Sequence, residues 1–295
     1  MFRQLIPALA APLLLASACA KEASIDSIRV EAASPIEALR AAPDRAHDAS
    51  TARVEMTFTI GDAEREVSFG GEGSYDAAAG RMSLTFDLGG MSDALAQTGE
   101  VLPSGFDEPL EIVVDGDATY LRVPMLEGLT GATGWLSLSV DDLSQAGGTL
   151  GLPGGSTDPL QILEALRGVG NVEEVGSEDV RGVPTTRYEA TIDLATALAQ
   201  APAEQRDHLE AQLGELDATL DELPVSTWID ADGLVRRLQI ALGAGTIGAA
   251  GPVTMVVELF DYGEPVDIVV PAPEDVTPFG DVLGSFSGAL TDEPA

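Results

Sequence analysis

Arg53-Val54-Glu55-Met56-Thr57-Phe58-Thr59-Ile60 places apolar side chains at Val54, Met56, Phe58 and Ile60 and polar ones between them. A period of two belongs to a pleated strand with one buried and one wet face, because successive Cβ atoms point to opposite sides. Gly61-Asp62 reads as a turn, and Val67, Phe69 and Tyr75 then share one side of a second strand. After Ala79-Gly80 the alternation returns at Met82, Leu84, Phe86 and Leu88. Strands joined by tight turns describe an antiparallel meander.

The pattern extends toward the C-terminus. Residues 110–114 and 118–123 flank Asp115-Gly116, a strong hairpin signal, and 135–140 form a further strand. Residues 172–180 and 185–194 pair through Arg181-Gly182, 225–229 and 234–242 through Asp230-Ala231-Asp232-Gly233, and 253–262 close the sheet. Residues 89–109, rich in glycine, and 141–156 read as long loops. Ser34-Pro35-Ile36-Glu37 opens a helix with an N-cap residue, proline at the first position and an acid in the first turn; it runs to about His47, with Pro43 as a point where it could break. Further helices are expected over 158–167 and 202–220. The fold class is α+β: a single strongly curved antiparallel sheet of about ten strands. One-sided burial requires a cover, so the helices are expected on the concave face.

The N-terminus gives the compartment. Arg3 precedes an apolar stretch from Leu5 to Ala18, too short to span a bilayer, which needs about 20 residues, but suited to a signal peptide over residues 1–18. Cys19 is the only cysteine. A lone thiol in an exported chain has no internal partner, and acylation removes that difficulty. Leu15-Ala16-Ser17-Ala18-Cys19 resembles a bacterial lipobox, with Ala16 where leucine is usual; the same small residues also fit ordinary secretory cleavage. The expected organisation is a signal peptide, a lipidated N-terminus and tether over 19–33, a folded domain over 34–278 and a disordered tail over 279–295. The protein would sit lipid-anchored on the extracytoplasmic face of the cell membrane. A single acyl chain holds weakly and two hold well.

The net charge is −34, and Lys21 is the only lysine. Phosphates would be repelled and no basic patch exists to release counterions, so nucleic acid is excluded as a partner. Other motifs reduce to structure. Gly243-Ala244-Gly245-Thr246-Ile247-Gly248 matches a dinucleotide fingerprint but lacks the helix that would meet a pyrophosphate. Asp230 to Gly233 lacks the further acidic ligands of a calcium loop. Glu173, Glu174, Glu178 and Asp179 read as solvated edge charges that discourage sheet pairing. His47 and His208 lack metal-ligand spacing, and Gly284-Ser285-Phe286-Ser287-Gly288 puts Phe286 in the nucleophile's place. No metal, cofactor or catalytic step is assigned.

Three stretches carry a family likeness: Gly182-Val183-Pro184-Thr185-Thr186-Arg187-Tyr188 with Asp193, Trp228-Ile229-Asp230-Ala231-Asp232-Gly233-Leu234-Val235-Arg236, and Phe260-Asp261-Tyr262-Gly263-Glu264-Pro265-Val266-Asp267-Ile268 leading to Pro271. In this order the chain resembles the LolA-like lipoprotein carriers, in particular the LppX–LprG group of actinobacteria, over residues 160–277; the N-terminal half matches by strand pattern alone. The resemblance implies a half-barrel with helices across its mouth, an apolar cavity for acyl chains, and a lipid-binding or lipid-transfer role rather than catalysis. The candidate lining is Met56, Phe58, Val67, Phe69, Leu84, Phe86, Ile192, Leu238 and Ile240. Alternation shows a buried face and leaves open whether it lines a cavity or an ordinary core. The alternative function is an extracytoplasmic protein-interaction or sensor lipoprotein built on the same fold, with an envelope protein as its partner.

Overall fold

The structure is a computed structural model and describes residues 34–62, 65–98, 104–126, 134–138, 159–193, 195, 196, 199, 222–242 and 251–282. The signal peptide, Cys19, the tether, the expected helix over 202–220, and the motifs at 243–248 and 284–288 lie outside the described residues.

One sheet dominates. Its strands are β1 (Thr51–Asp62), β2 (Arg65–Asp76), β3 (Arg81–Asp87), β4 (Leu110–Asp115), β5 (Ala118–Arg122), β6 (Trp135–Leu138), β7 (Val169–Val180), β8 (Val183–Asp193), β9 (Glu222–Asp230), β10 (Val235–Leu242), β11 (Val253–Phe260) and β12 (Val276–Pro278). The spatial order is β12-β6-β5-β4-β3-β2-β1-β11-β10-β9-β8-β7. Among the described residues the sheet thus has twelve strands rather than about ten, and it is not wholly antiparallel, since β12 runs parallel to β6. Nor does β11 close it. That strand lies in the interior between β1 and β10, and β7 and β12 form the open edges. The β1–β2 pairing also runs past the expected turn, to Asp62 opposite Arg65.

Three α-helices are described from end to end. Helix α1 (Pro35–Asp48) is continuous through Pro43. A proline inside a helix removes one hydrogen bond and crowds the preceding turn, and here Pro43 lies buried on the stripe formed with Leu39, Ala42 and Ala46. At the N-terminus the Glu37 carboxylate accepts hydrogen bonds from the Ser34 backbone N–H (2.9 Å) and hydroxyl (2.8 Å), the reciprocal half of a capping box. Helix α2 (Gly89–Thr98) occupies the first half of the expected 89–109 loop and packs on β2. Helix α3 (Pro159–Glu164) continues as a 3₁₀ turn, Ala165–Gly168, and contacts α1. None of the described helices is long and apolar enough to cross a membrane.

The core lies on one face of the sheet. Leu39, Ala42 and Ala46 of α1, Leu163 of α3 and Leu166 of the 3₁₀ turn join the buried residues of the strands in one cluster. Helix α1 packs against β7 and β9, the Arg40 guanidinium donates to the Val169 carbonyl (2.8 Å), and the Tyr75 hydroxyl donates to the Ala46 carbonyl (3.4 Å). The expected tail starts too early: Phe279 packs against the core and Val282 is buried in it.

Candidate functional site

Register assembles the nine candidate positions. Met56 stands opposite Val257 and Gly71, and Phe58 opposite Met255 and Phe69. Gly71 faces Phe86, Gly73 faces Leu84, Leu238 faces Val257 and Ile240 faces Met255. Ile192 pairs with Val169 and Leu223 on the same face. Eight of the nine are buried and Val67, opposite Ile60, is half-buried. Phe58 stacks on Phe69 with centroids 5.2 Å apart and meets Phe86 at 6.2 Å, distances at which aromatic pairs add to simple burial.

The face is wider than those nine. Leu110, Ile112, Leu121, Leu136, Leu138, Val225, Met255, Val257 and Leu259 extend it from β6 to β9. The same alternation in Leu110/Ile112 and Met255/Val257/Leu259 marks most of these in the sequence. Thr227 is the exception: it stands on the apolar face opposite Tyr188 and Leu238, is fully buried, and its hydroxyl has no hydrogen-bond partner among the described residues. The Tyr188 hydroxyl is pushed up in pKa by burial, with the Glu174 charge adding to it, so it is a neutral phenol across the physiological range.

The opposite face is polar and holds a clasp. Arg181, in the β7–β8 turn, pairs with Glu258 of β11 (2.7 Å) and Glu55 of β1 and lies 4.1 Å over the Phe260 ring. Glu178 is exposed on the edge strand β7, as its sequence neighbourhood suggests, and it also accepts from the Trp228 indole (2.9 Å) and from Arg237 (3.2 Å). Arg237 also pairs with Glu258 (2.7 Å). Burial pushes the Glu258 carboxyl up, but the Arg237 and Arg181 guanidiniums outweigh it and hold the group below the usual range. A folded-state pKa below the unfolded value stabilises the fold above the ordinary glutamate pKa of about 4.3 and loses that contribution as pH falls through the lowered value. R181A should therefore lower the unfolding free energy measured in urea at pH 7 by about 1–2 kcal/mol, for charged hydrogen bonds partly screened by solvent, and by much less at pH 3. Equal losses at both pH values would show that the clasp is not electrostatic.

The other motifs tie strand ends together. Asp230 Oδ1 accepts the backbone N–H groups of Asp232 (2.9 Å) and Leu234 (3.0 Å), and Oδ2 accepts from Arg236 (2.6 Å); the carboxylate serves the turn. The Tyr262 hydroxyl donates to the Val235 carbonyl (2.7 Å), and burial holds its pKa well above the ordinary value. Arg181 and Gly182 both have positive φ, 51° and 79°, as a two-residue hairpin turn requires. His47 is exposed on α1. A cleft of about 540 Å³ lies toward the β7 edge, with a mixed lining in which Asn171, Glu173, Glu189, Ser226 and Gln239 are polar and Val172, Ala190 and Val225 apolar.

The fold and its buried face define a class of protein: a broad, mostly antiparallel sheet with helices laid on its apolar side. No family model matches the chain. It is 30% identical over 274 residues, covering 89% of this chain and 86% of the other, to the "Uncharacterized 31.2 kDa protein in rplA-rplJ intergenic region" of Streptomyces griseus, and it belongs to the family of that protein. Similar solved structures include the lipoprotein LppX of Mycobacterium tuberculosis (17% identity, 79% of this chain and 98% of that one, TM-score 0.44) and LprF of Mycobacterium bovis (14%, 81% and 97%, 0.46). A LolA superfamily protein of Nitrosomonas europaea is also similar (10%, 82% and 96%, 0.27). These are the LolA-like, LppX-type proteins that the three sequence motifs resemble.

Proposed function

We propose that the protein is an extracytoplasmic lipoprotein, anchored through Cys19, that binds or transfers lipid by taking acyl chains between the apolar face of its sheet and the helices over it. The reading assigns it no catalytic step. The observation that carries it is the extent of that face: register keeps apolar side chains on one side from β6 through β9. Each buried CH₂ is worth about 0.8 kcal/mol, so a lipid leaves a bilayer only for a surface that can cover most of its tail.

Curvature supports the half-barrel. Helix α1 reaches β7 through Arg40 and β2 through Ala46. Those residues lie about 9 Å apart along the helix axis, whereas six strand spacings on a flat sheet span about 29 Å. Strongly twisted open sheets seldom pass about ten strands without curling. The candidate side chains are buried against the protein itself, so admission of a chain requires α1 and its neighbours to lift from the sheet.

Native mass spectrometry of the chain lacking residues 1–19 should show a co-purifying lipid, and the delipidated protein should take up a fluorescent fatty acid at micromolar concentration. A clean apo mass together with no uptake would sink the proposal. The second reading, a protein-interaction or sensor module, draws on the cleft beside β7; one stoichiometric envelope partner and no extractable lipid would favour it.

A further inference from the structure

One cross-strand row changes character along its length. It runs Glu174, Tyr188, Thr227, Leu238, Val257, Met56, Gly71, Phe86, Leu110, each residue opposite the next, through β7, β8, β9, β10, β11, β1, β2, β3 and β4. Glu174 is exposed, Tyr188 half-buried, and every side chain from Thr227 onward is buried, with Gly71 contributing none. The row is therefore an amphipathic track, polar at the β7 edge and purely apolar from β10.

Thr227 marks the change. Of the described residues only Thr185 and Thr227 are buried and polar. Thr185 donates to the Glu178 carbonyl, whereas the Thr227 hydroxyl has no hydrogen-bond partner among the described residues. A buried hydroxyl left unpaired carries the full cost of its lost hydration, and such groups are few in native structures. Valine has nearly the same shape without that cost, so packing does not account for a threonine.

We infer that the Thr227 hydroxyl is the hydrogen-bond partner of an uncharged polar group at the head of the ligand, an ester, amide or hydroxyl, and that the acyl tail runs from there toward Phe86. This rests on the lipid-binding reading. A hydroxyl can donate or accept, so it suits each of those groups, and the Tyr188 phenol opposite offers a second contact. Glu174 at the edge and the net charge of −34 disfavour an anionic head. Measured along the sheet, five strand spacings, about 24 Å, lie between Thr227 and Phe86, and one leaflet of a bilayer core is about 15 Å deep, so the track is long enough for a full acyl chain.

The test uses the full chain and three probes sharing one pyrene-labelled tail: a monoacylglycerol, a plain alkane and a phosphate monoester. The wild type should bind the glycerol ester at least tenfold more tightly than the phosphate. T227V should weaken the glycerol ester about tenfold and leave the alkane within twofold, while melting no lower than the wild type. T227S, which keeps the hydroxyl, should bind the glycerol ester within threefold of the wild type. A T227V chain that binds the ester as the wild type does overturns the inference and leaves lipid binding standing. So does a T227S chain as weak as T227V, which would make the effect one of packing. Equal affinity for phosphate and glycerol heads overturns the uncharged head. A wild type that binds none of the three removes the lipid-binding reading itself, and the inference with it.

Discussion

A G73A chain should unfold with about 3 kcal/mol less free energy than the wild type. Gly73 lies on the apolar face of β2 between Gly71 and Tyr75, opposite Val54 on one side and Leu84 on the other. A Cβ built there would sit 1.9 Å from the Ser83 carbonyl oxygen and 2.9 Å from Leu84 Cδ2. The oxygen is backbone in the adjacent β3, so relief means parting β2 from β3 rather than turning a side chain. Overpacking a tight site costs about 1–3 kcal/mol, and a clash with paired backbone belongs at the upper end. Glycine inside a strand weakens it and marks a close approach or bend, and here the missing side chains let Phe86 and Leu84 lean into the space over β2. G170A is the control: its new Cβ meets nothing nearer than 3.8 Å and should shift stability by under about 1 kcal/mol. Urea unfolding of both variants decides the matter, and equal midpoints would refute the steric account.

F86A should cost about 3–5 kcal/mol, the range for deleting a buried phenyl ring. Phe86 is fully buried, meets Phe58, and faces Leu110 on one side and Gly71 on the other, so from the β2 side no side chain can spread into the vacated volume. The same space lies at the far end of the proposed track. Saturating methyl palmitate should therefore raise the urea midpoint of F86A by more than that of the wild type, since the tail replaces lost contacts as well as adding its own. If the ester leaves both midpoints unmoved while F86A still loses stability, the face is a core and nothing else.

The half of the fold legible in the sequence is the half written in local periodicity. Alternation in 53–60 and its repeats located the meander and the buried face, and the glycine and aspartate turns located the hairpins. Helix α2 was hidden by the residues that make it fit. Gly89-Gly90 reads as loop, yet a Cβ on Gly90 would stand 1.9 Å from the Ser68 carbonyl, so the glycine permits the helix to lie close on β2. Strand β12 has three residues, too few to show any period, and it pairs with a strand some 140 residues earlier in the chain. Glu178 sits among other acids in the sequence and gave no sign that Trp228 and Arg237 would reach it. Thr227, in Ser226-Thr227-Trp228, had no signal at all, because a hydroxyl's lack of a partner is a property of its surroundings.

The three motifs of the family likeness prove to be turns and ties: the β7–β8 turn with its arginine clasp, the Asp230 carboxylate turn, and the Tyr262 bond to β10. They hold the frame, and the apolar face they support is spelled only as alternation, which many side chains satisfy equally.

By itself the sequence determined which side of each strand is greasy and where the chain reverses, since pleating and turn geometry depend on neighbours in the chain. Tertiary structure alone decided that β11 enters between β1 and β10, that charged residues far apart in the chain close a clasp over one face, and that a lone hydroxyl lies within the other. Strand order depends on contacts between distant segments, and a polar group's satisfaction depends on what those contacts bring to it.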